Sequence, residues 1–230
     1  MIGTMTSLVA AVVFFAGFHL LVPPTRLRPL LIARLGQKAY SGLFSLVSAL
    51  GLAWLGFAYG AAPVEPLWDG AGLKHLALVV MPFAWILLVG GLTSRNPTAI
   101  GQEALLDRAD GPQGFVKITR HPLMWAFALW ALVHLLANGD VASLLLFGCL
   151  LFLALFGAAL IDHRRRSGNP DGWARLAAQT SFVPFAALVA GRTRLTLREL
   201  GLWRIALGLG LYVLFLFLHP LLFGVAVLPR

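Results

Sequence analysis

Six long apolar runs, at about 3–22, 39–61, 75–94, 121–138, 141–161 and 202–223, constrain this chain more than any other feature. Each approaches the roughly 20 residues that a helix needs to cross the hydrocarbon of a bilayer. Inside lipid every backbone polar group must be paired within the protein, which makes these runs helices. The pattern predicts an all-α integral membrane helical bundle of about six transmembrane helices. Composition agrees, because only 12% of the residues are charged, against about a quarter in a soluble domain. The intervening loops are too short for a second fold, so residues 1–230 are expected to form a single transmembrane domain.

The formal charge of +9 would suggest nucleic acid in a soluble protein. Here the basic residues lie between apolar runs, where they anchor topology at lipid headgroups, so no nucleic acid is expected. Arg26, Arg28, Arg34 and Lys38 occupy the first loop, and Arg95, Arg108, Lys117 and Arg120 the third. Seven arginines occupy the loop 162–201, whereas 62–74 holds only Lys74 and 138–140 no basic residue. Alternate loops should therefore be cytoplasmic, with both termini on the non-cytoplasmic side. No basic residue precedes the first run and no small-residue cleavage site follows it, which predicts a retained span. Cys149, the only cysteine, is assigned to packing.

Local signals add detail. Asn138-Gly139-Asp140 predicts a tight antiparallel turn between the fourth and fifth spans. Asn169-Pro170-Asp171 carries an N-cap, a proline for the first helical position and an acid for the first turn, predicting a short helix at the headgroups. The following Thr180-Ser181-Phe182-Val183-Pro184-Phe185 stretch is too short to span and is expected to dip into the interface. Ser41, Ser45 and Ser48 share one side of the second span, and Gly208 and Gly210 belong to the sixth. Small residues of this kind allow close helix approach.

Asp and Glu are absent from the span interiors, which argues against proton-coupled transport. Histidine stands out instead: His19, His75, His121 and His134 lie in or at the ends of four different spans. His134 follows Trp130 by one turn and Phe127 by two, on an aromatic face. His19 sits beside the small Gly17. Such surroundings suit a flat macrocycle between helices, and neutral imidazole is a ligand of haem iron. His163 and His219 read as anchors. Zinc is not indicated, since no cysteine-rich cluster and no two histidines one turn apart occur.

Longer stretches carry a resemblance. Lys117-Ile118-Thr119-Arg120-His121-Pro122-Leu123-Met124, then Leu129-Trp130-Ala131-Leu132-Val133-His134-Leu135-Leu136-Ala137-Asn138-Gly139-Asp140, strongly resemble the NnrU family. So do the residues from Ala33-Arg34-Leu35-Gly36 to Ala39-Tyr40-Ser41-Gly42-Leu43-Phe44-Ser45-Leu46, and Thr180-Ser181-Phe182-Val183-Pro184-Phe185. The resemblance covers about residues 5–190 and leaves the last span, about 202–223, as an extension. NnrU proteins are bacterial membrane proteins named for a link to nitrite and nitric oxide reduction, and the family includes the plant 15-cis-zeta-carotene isomerase, a membrane haem b enzyme. The resemblance implies a bacterial inner membrane location and a haem b whose iron is held by His19 and His134. Where the isomerase has its switching cysteine, this chain has Ala131, so the ligand-exchange step is not carried over.

Depth leaves other pairings open. From His121 to His134 a helix climbs about 20 Å, so by depth alone His75 pairs with His134 and His19 with His121. His75 and His121 are therefore reserve ligands. The leading expectation is a haem b protein in redox sensing or delivery for nitrogen-oxide respiration, or an isomerase-like enzyme. Its partners would be the lipid bilayer and an apolar small-molecule substrate or respiratory membrane proteins. The alternatives are an assembly or binding protein without haem, and a methyltransferase using S-adenosylmethionine. The last rests on a short echo at Arg120-His121-Pro122, which otherwise reads as a helix start with Arg120 reaching the headgroups.

Overall fold

The structure, a computed structural model, describes residues 4–108 and 110–227. Among these residues the only regular elements are helices, joined by short loops and one isolated bridge between Pro66 and Asp140. Four helices are long and apolar enough to cross a membrane, and two 17-residue apolar helices accompany them. These six helices fall on the six apolar runs. The chain is thus an all-α, multi-pass membrane protein, and it divides into two compact units.

The first unit comprises residues 1–70 and 134–153. Helix α1 (Met5–Leu21) starts at Thr4, whose side chain accepts the Ser7 amide, and stops before Pro23-Pro24. The basic stretch is itself helical, as α2 (Leu27–Leu35). Gly36, at φ +79°, breaks it from α3 (Gln37–Gly60) by a conformation that a side chain would strain. Leu8, Ala11 and Phe15 line the buried side of α1, while Gly51, Leu55 and Ala58 line that of α3. A methyl group on Gly51 would lie 3.1 Å from the Phe14 ring, so the missing side chain is what lets the two helices close.

Helix α4 (Lys74–Thr93) belongs to the second unit, residues 71–133 and 154–230. So do the short α5 (Phe115–Ile118) and the start of α6 (Pro122–Asn138). Helix α7 (Val141–Gly168), like α6, has residues in both units. The unit is completed by α8 (Pro170–Gln179), α9 (Ala186–Val189), α10 (Leu197–Leu200) and α11 (Leu202–Phe223). Its core gathers Leu87, Phe115, Ile118, Ala126 and Leu200.

Glycine governs the close approaches here as well. Gly208 of α11 faces the Ile86 backbone of α4, where an added Cβ would come within 2.8 Å of Cα. Gly210 has open space around it and plays no such part. Pro82 interrupts the amide ladder of α4, and the Tyr212 hydroxyl donates to the Leu78 carbonyl four residues earlier, at 3.2 Å. Helix α8 begins as its sequence predicts, with Asn169 capping the Gly172 amide at 2.9 Å and Pro170 in the first turn.

The Asn138-Gly139-Asp140 turn reverses the chain in the first unit, with Gly139 at φ +69° beneath Trp68. The Gly139 carbonyl accepts the amides of Leu67 (2.7 Å) and Trp68 (3.1 Å), and the Trp68 indole donates to the Leu136 carbonyl. Outside these contacts the long helices are faced with exposed apolar side chains, including Phe57 at 76% and Leu221 at 81% exposure. In water such a surface would drive association, whereas in lipid it matches the solvent.

Candidate functional site

Of the four histidines singled out in the sequence, His19 and His134 lie in the first unit, and His75 and His121 in the second. His19 is half-buried on α1. Its Nδ1 lies 2.8 Å from the Phe15 carbonyl one turn earlier. A carbonyl can only accept, so Nδ1 carries the proton and Nε2 presents its lone pair. That lone pair faces the Ser48 hydroxyl at 3.4 Å, a long contact. Phe15, Phe18 and Phe44 surround the ring at centroid distances of 4.4, 5.7 and 5.4 Å. Ser48, a packing residue by its sequence pattern, thus also meets an imidazole.

His134 is half-buried near the end of α6, with its ring centroid 5.2 Å from that of Phe147 on α7. Phe127, two turns earlier on α6, is 45% exposed, and Phe147 brings an aromatic ring to His134 from the following helix. Ala131, close to one turn before His134, is fully buried. On another side of Phe147, Tyr59 stands edge-on at 5.7 Å and is 2.9 Å from the Ser143 hydroxyl. Ser143 donates in turn to Asp140 at 2.6 Å, and Asp140 also accepts the Ser143 amide, capping α7.

The second unit places its histidines differently. His75 is exposed in the first turn of α4, with Nδ1 3.3 Å from the Gly72 carbonyl. His121 is buried, and its Nε2 lies 2.5 Å from Asp162 Oδ1. Against an ionised carboxylate Nε2 donates, so iron could reach His121 only through Nδ1 or after that bond is given up. Arg120 binds the other Asp162 oxygen at 2.8 Å, donates to the Thr180 carbonyl, and lies 5.0 Å above the Trp173 ring. Its side chain is only 11% exposed. Arg120 therefore does not reach out to headgroups as expected, but closes a buried ion pair.

The backbone around this pair is equally engaged. The Arg120 carbonyl accepts from Asn96 (3.1 Å) and Thr98 (2.6 Å). The Arg120 amide donates to the Ser181 carbonyl, and Thr119 and Trp125 both donate to the Phe182 carbonyl. The 180–185 segment is thus strapped to the α5–α6 corner. Phe185 closes it at φ +65°, a left-handed conformation uncommon for a side chain of this size. Sequence reasoning alone misses Asp162. Its signal is an acid standing one residue beyond the fifth apolar run, where a charge needs a partner.

The profile of the family described as "NnrU protein" matches residues 7–227. The chain belongs to the NnrU family. The match takes in α11, so the last span is part of the NnrU pattern and not an extension beyond it. Two relatives are similar over a shorter stretch. The "15-cis-zeta-carotene isomerase, chloroplastic" of Zea mays is 37% identical over 82 residues, 36% of this chain and 22% of that protein. The protein of the same name from Arabidopsis thaliana is 34% identical over 79 residues, 34% of this chain and 22% of that one. This NnrU chain therefore aligns with about a fifth of each relative's length. No solved structure matches it.

His19 and His134 are the residues that would hold a haem, each packed against aromatic side chains. Among the described residues no three of His, Cys, Asp and Glu gather into a cage for a metal ion. An axially held haem needs only imidazoles on apolar walls, and its iron takes its remaining coordination from the porphyrin. With Nδ1–H anchored on the Phe15 carbonyl, a neutral His19 would present Nε2, the arrangement usual for metal-binding histidine.

Proposed function

We propose that this NnrU protein holds one haem b within the first unit, with His19 and His134 as axial ligands. The posture of His19 carries the reading: Nδ1–H is fixed on the Phe15 carbonyl and Nε2 is directed away from it, among three phenylalanine rings. Similarity to the two isomerases supports an isomerase-like reaction on an apolar molecule, and the NnrU name supports redox sensing or delivery in nitrogen-oxide respiration. When bound, the haem would supply redox chemistry. The chain's part is to orient the imidazoles, exclude water with Phe15, Phe18 and Phe44, and hold the His19 proton on Nδ1. The resemblance to bacterial NnrU proteins supports a bacterial inner membrane location, the basic loops support both termini on the non-cytoplasmic side, and residues 1–230 act as one domain.

The test is an absorption spectrum with a pyridine haemochrome assay, on protein purified in detergent from haem-replete cells. A Soret band is expected, lost in His19→Ala and in His134→Ala, and retained in His75→Ala. Absence of the band in the parent protein would overturn the haem reading. It would leave the competing one, favoured by the Ser48 contact to Nε2, in which His19 only joins α1 to α3.

A further inference from the structure

The polar loops of the second unit form a half-open cavity of about 90 Å³ that the haem reading does not use. It exceeds the roughly 10–15 Å³ that a single water requires, leaving room for a compact group of several atoms. Its floor is apolar, made by Leu105, Leu106, Val116 and Leu176. Its rim carries three guanidinium groups, from Arg95, Arg108 and Arg175, and one carboxylate, Asp110. With three positive groups and one negative, the rim has a net charge of +2.

Two of the three guanidinium groups are held but not consumed. Arg108 meets both Asp110 oxygens through Nε alone, at 3.1 and 3.3 Å, so that bond leaves out its two terminal nitrogens. Arg175 uses one nitrogen on the Leu106 carbonyl, at 3.2 Å. The Gln113 and Gln179 amides add neutral donors. The Asp110 carboxyl is held below its usual range by its hydrogen bond from Arg108, and Arg95 acts in the same direction. Guanidinium forks match phosphate oxygens in geometry and charge.

We infer that this cavity is a binding site for a phosphate group, with Arg95, Arg108 and Arg175 as its ligands and Asp110 as a competing anion. Two sources carry that chemistry: the headgroup of an anionic lipid and a free phosphate. The cavity lies on two loops that carry several basic residues each, where the lipid headgroup region of a spanning protein falls.

The full chain is reconstituted in phosphatidylcholine nanodiscs and titrated at constant ionic strength. One probe is short-chain phosphatidylglycerol and the other inorganic phosphate, each followed by the rise in unfolding temperature. A saturable rise is expected. Replacing Arg95 and Arg175 together by Gln should weaken half-saturation by about tenfold or more, the scale of one lost charge-assisted bond. Asp110→Asn should tighten it, a gain that damage to the fold does not produce. Removing equal charge elsewhere, with Arg26→Gln and Arg34→Gln, should leave it unchanged. Saturation by phosphatidylglycerol alone assigns a lipid headgroup, and saturation by inorganic phosphate assigns a free phosphate. No saturable rise with either probe, an equal loss in the Arg26/Arg34 control, or weaker binding in Asp110→Asn would each overturn the site.

Discussion

His19 and His121 make opposite use of the same side chain. His121 is sealed in the second unit, with Nε2 on Asp162 and Asp162 shared with Arg120. His19 is half-buried in the first unit, with one nitrogen on its own helix and the other 3.4 Å from a hydroxyl. A histidine whose nitrogen is bound to a charge is part of the frame. One whose lone pair meets a single long contact can exchange that contact for another ligand. Burial alone would rank them the wrong way round for chemistry, because the more deeply buried imidazole is the less available one.

Asp162→Ala gives the largest effect. It leaves Arg120 without its counter-charge, which should cost about 3–5 kcal/mol in unfolding by detergent titration. Ser48→Ala, the matching change at His19, should cost about 0.5 kcal/mol or less. Equal losses would end the contrast between the two sites. Gly208→Val comes next, at about 1–3 kcal/mol, because the added carbons meet the Ile86 backbone of α4. It should leave the His19 region, and any Soret band, unaltered, which sharpens the separation of frame from site.

A modest, pH-dependent effect lies at Glu199, whose carboxyl is held below its ordinary value of 4.5 by Lys117, 2.6 Å away. A lowered folded-state value means that the stabilisation is complete above about pH 4.5. It is lost as the pH falls through the folded value. Glu199→Gln should therefore lower the unfolding temperature slightly at pH 7 and make no difference at low pH. The partial exposure of the pair limits the change to about 1 kcal/mol. A difference that grows on acidification would contradict that sign.

Much of the frame is legible in the sequence by itself. Apolar runs of span length can only be helices in lipid, and Asn169-Pro170-Asp171 and Asn138-Gly139-Asp140 announce a start and a turn by local chemistry. Other features depend on partners far along the chain. Arg120 and Asp162 are 42 residues apart, so nothing local distinguishes a headgroup anchor from an ion pair. Helical periodicity puts His134 on a face with Phe127. It does not say which part of that face meets lipid, and the ring that packs on His134 comes from Phe147 on the next helix. His19 stands out because a histidine inside a span is rare enough to need a reason. Ser48 carries no comparable signal, since a small residue on a helix face reads first as packing.

The proline in α4 has a consequence for how the last span sits. Without an amide at Pro82, the Leu78 carbonyl is deprived of its usual partner in a medium that offers none, and Tyr212 from α11 answers it. Two apolar rods in lipid have little reason to prefer one sliding position over another. A hydroxyl keyed to a vacant carbonyl supplies such a reason beside the Gly208 contact, so the defect in one helix helps index its neighbour.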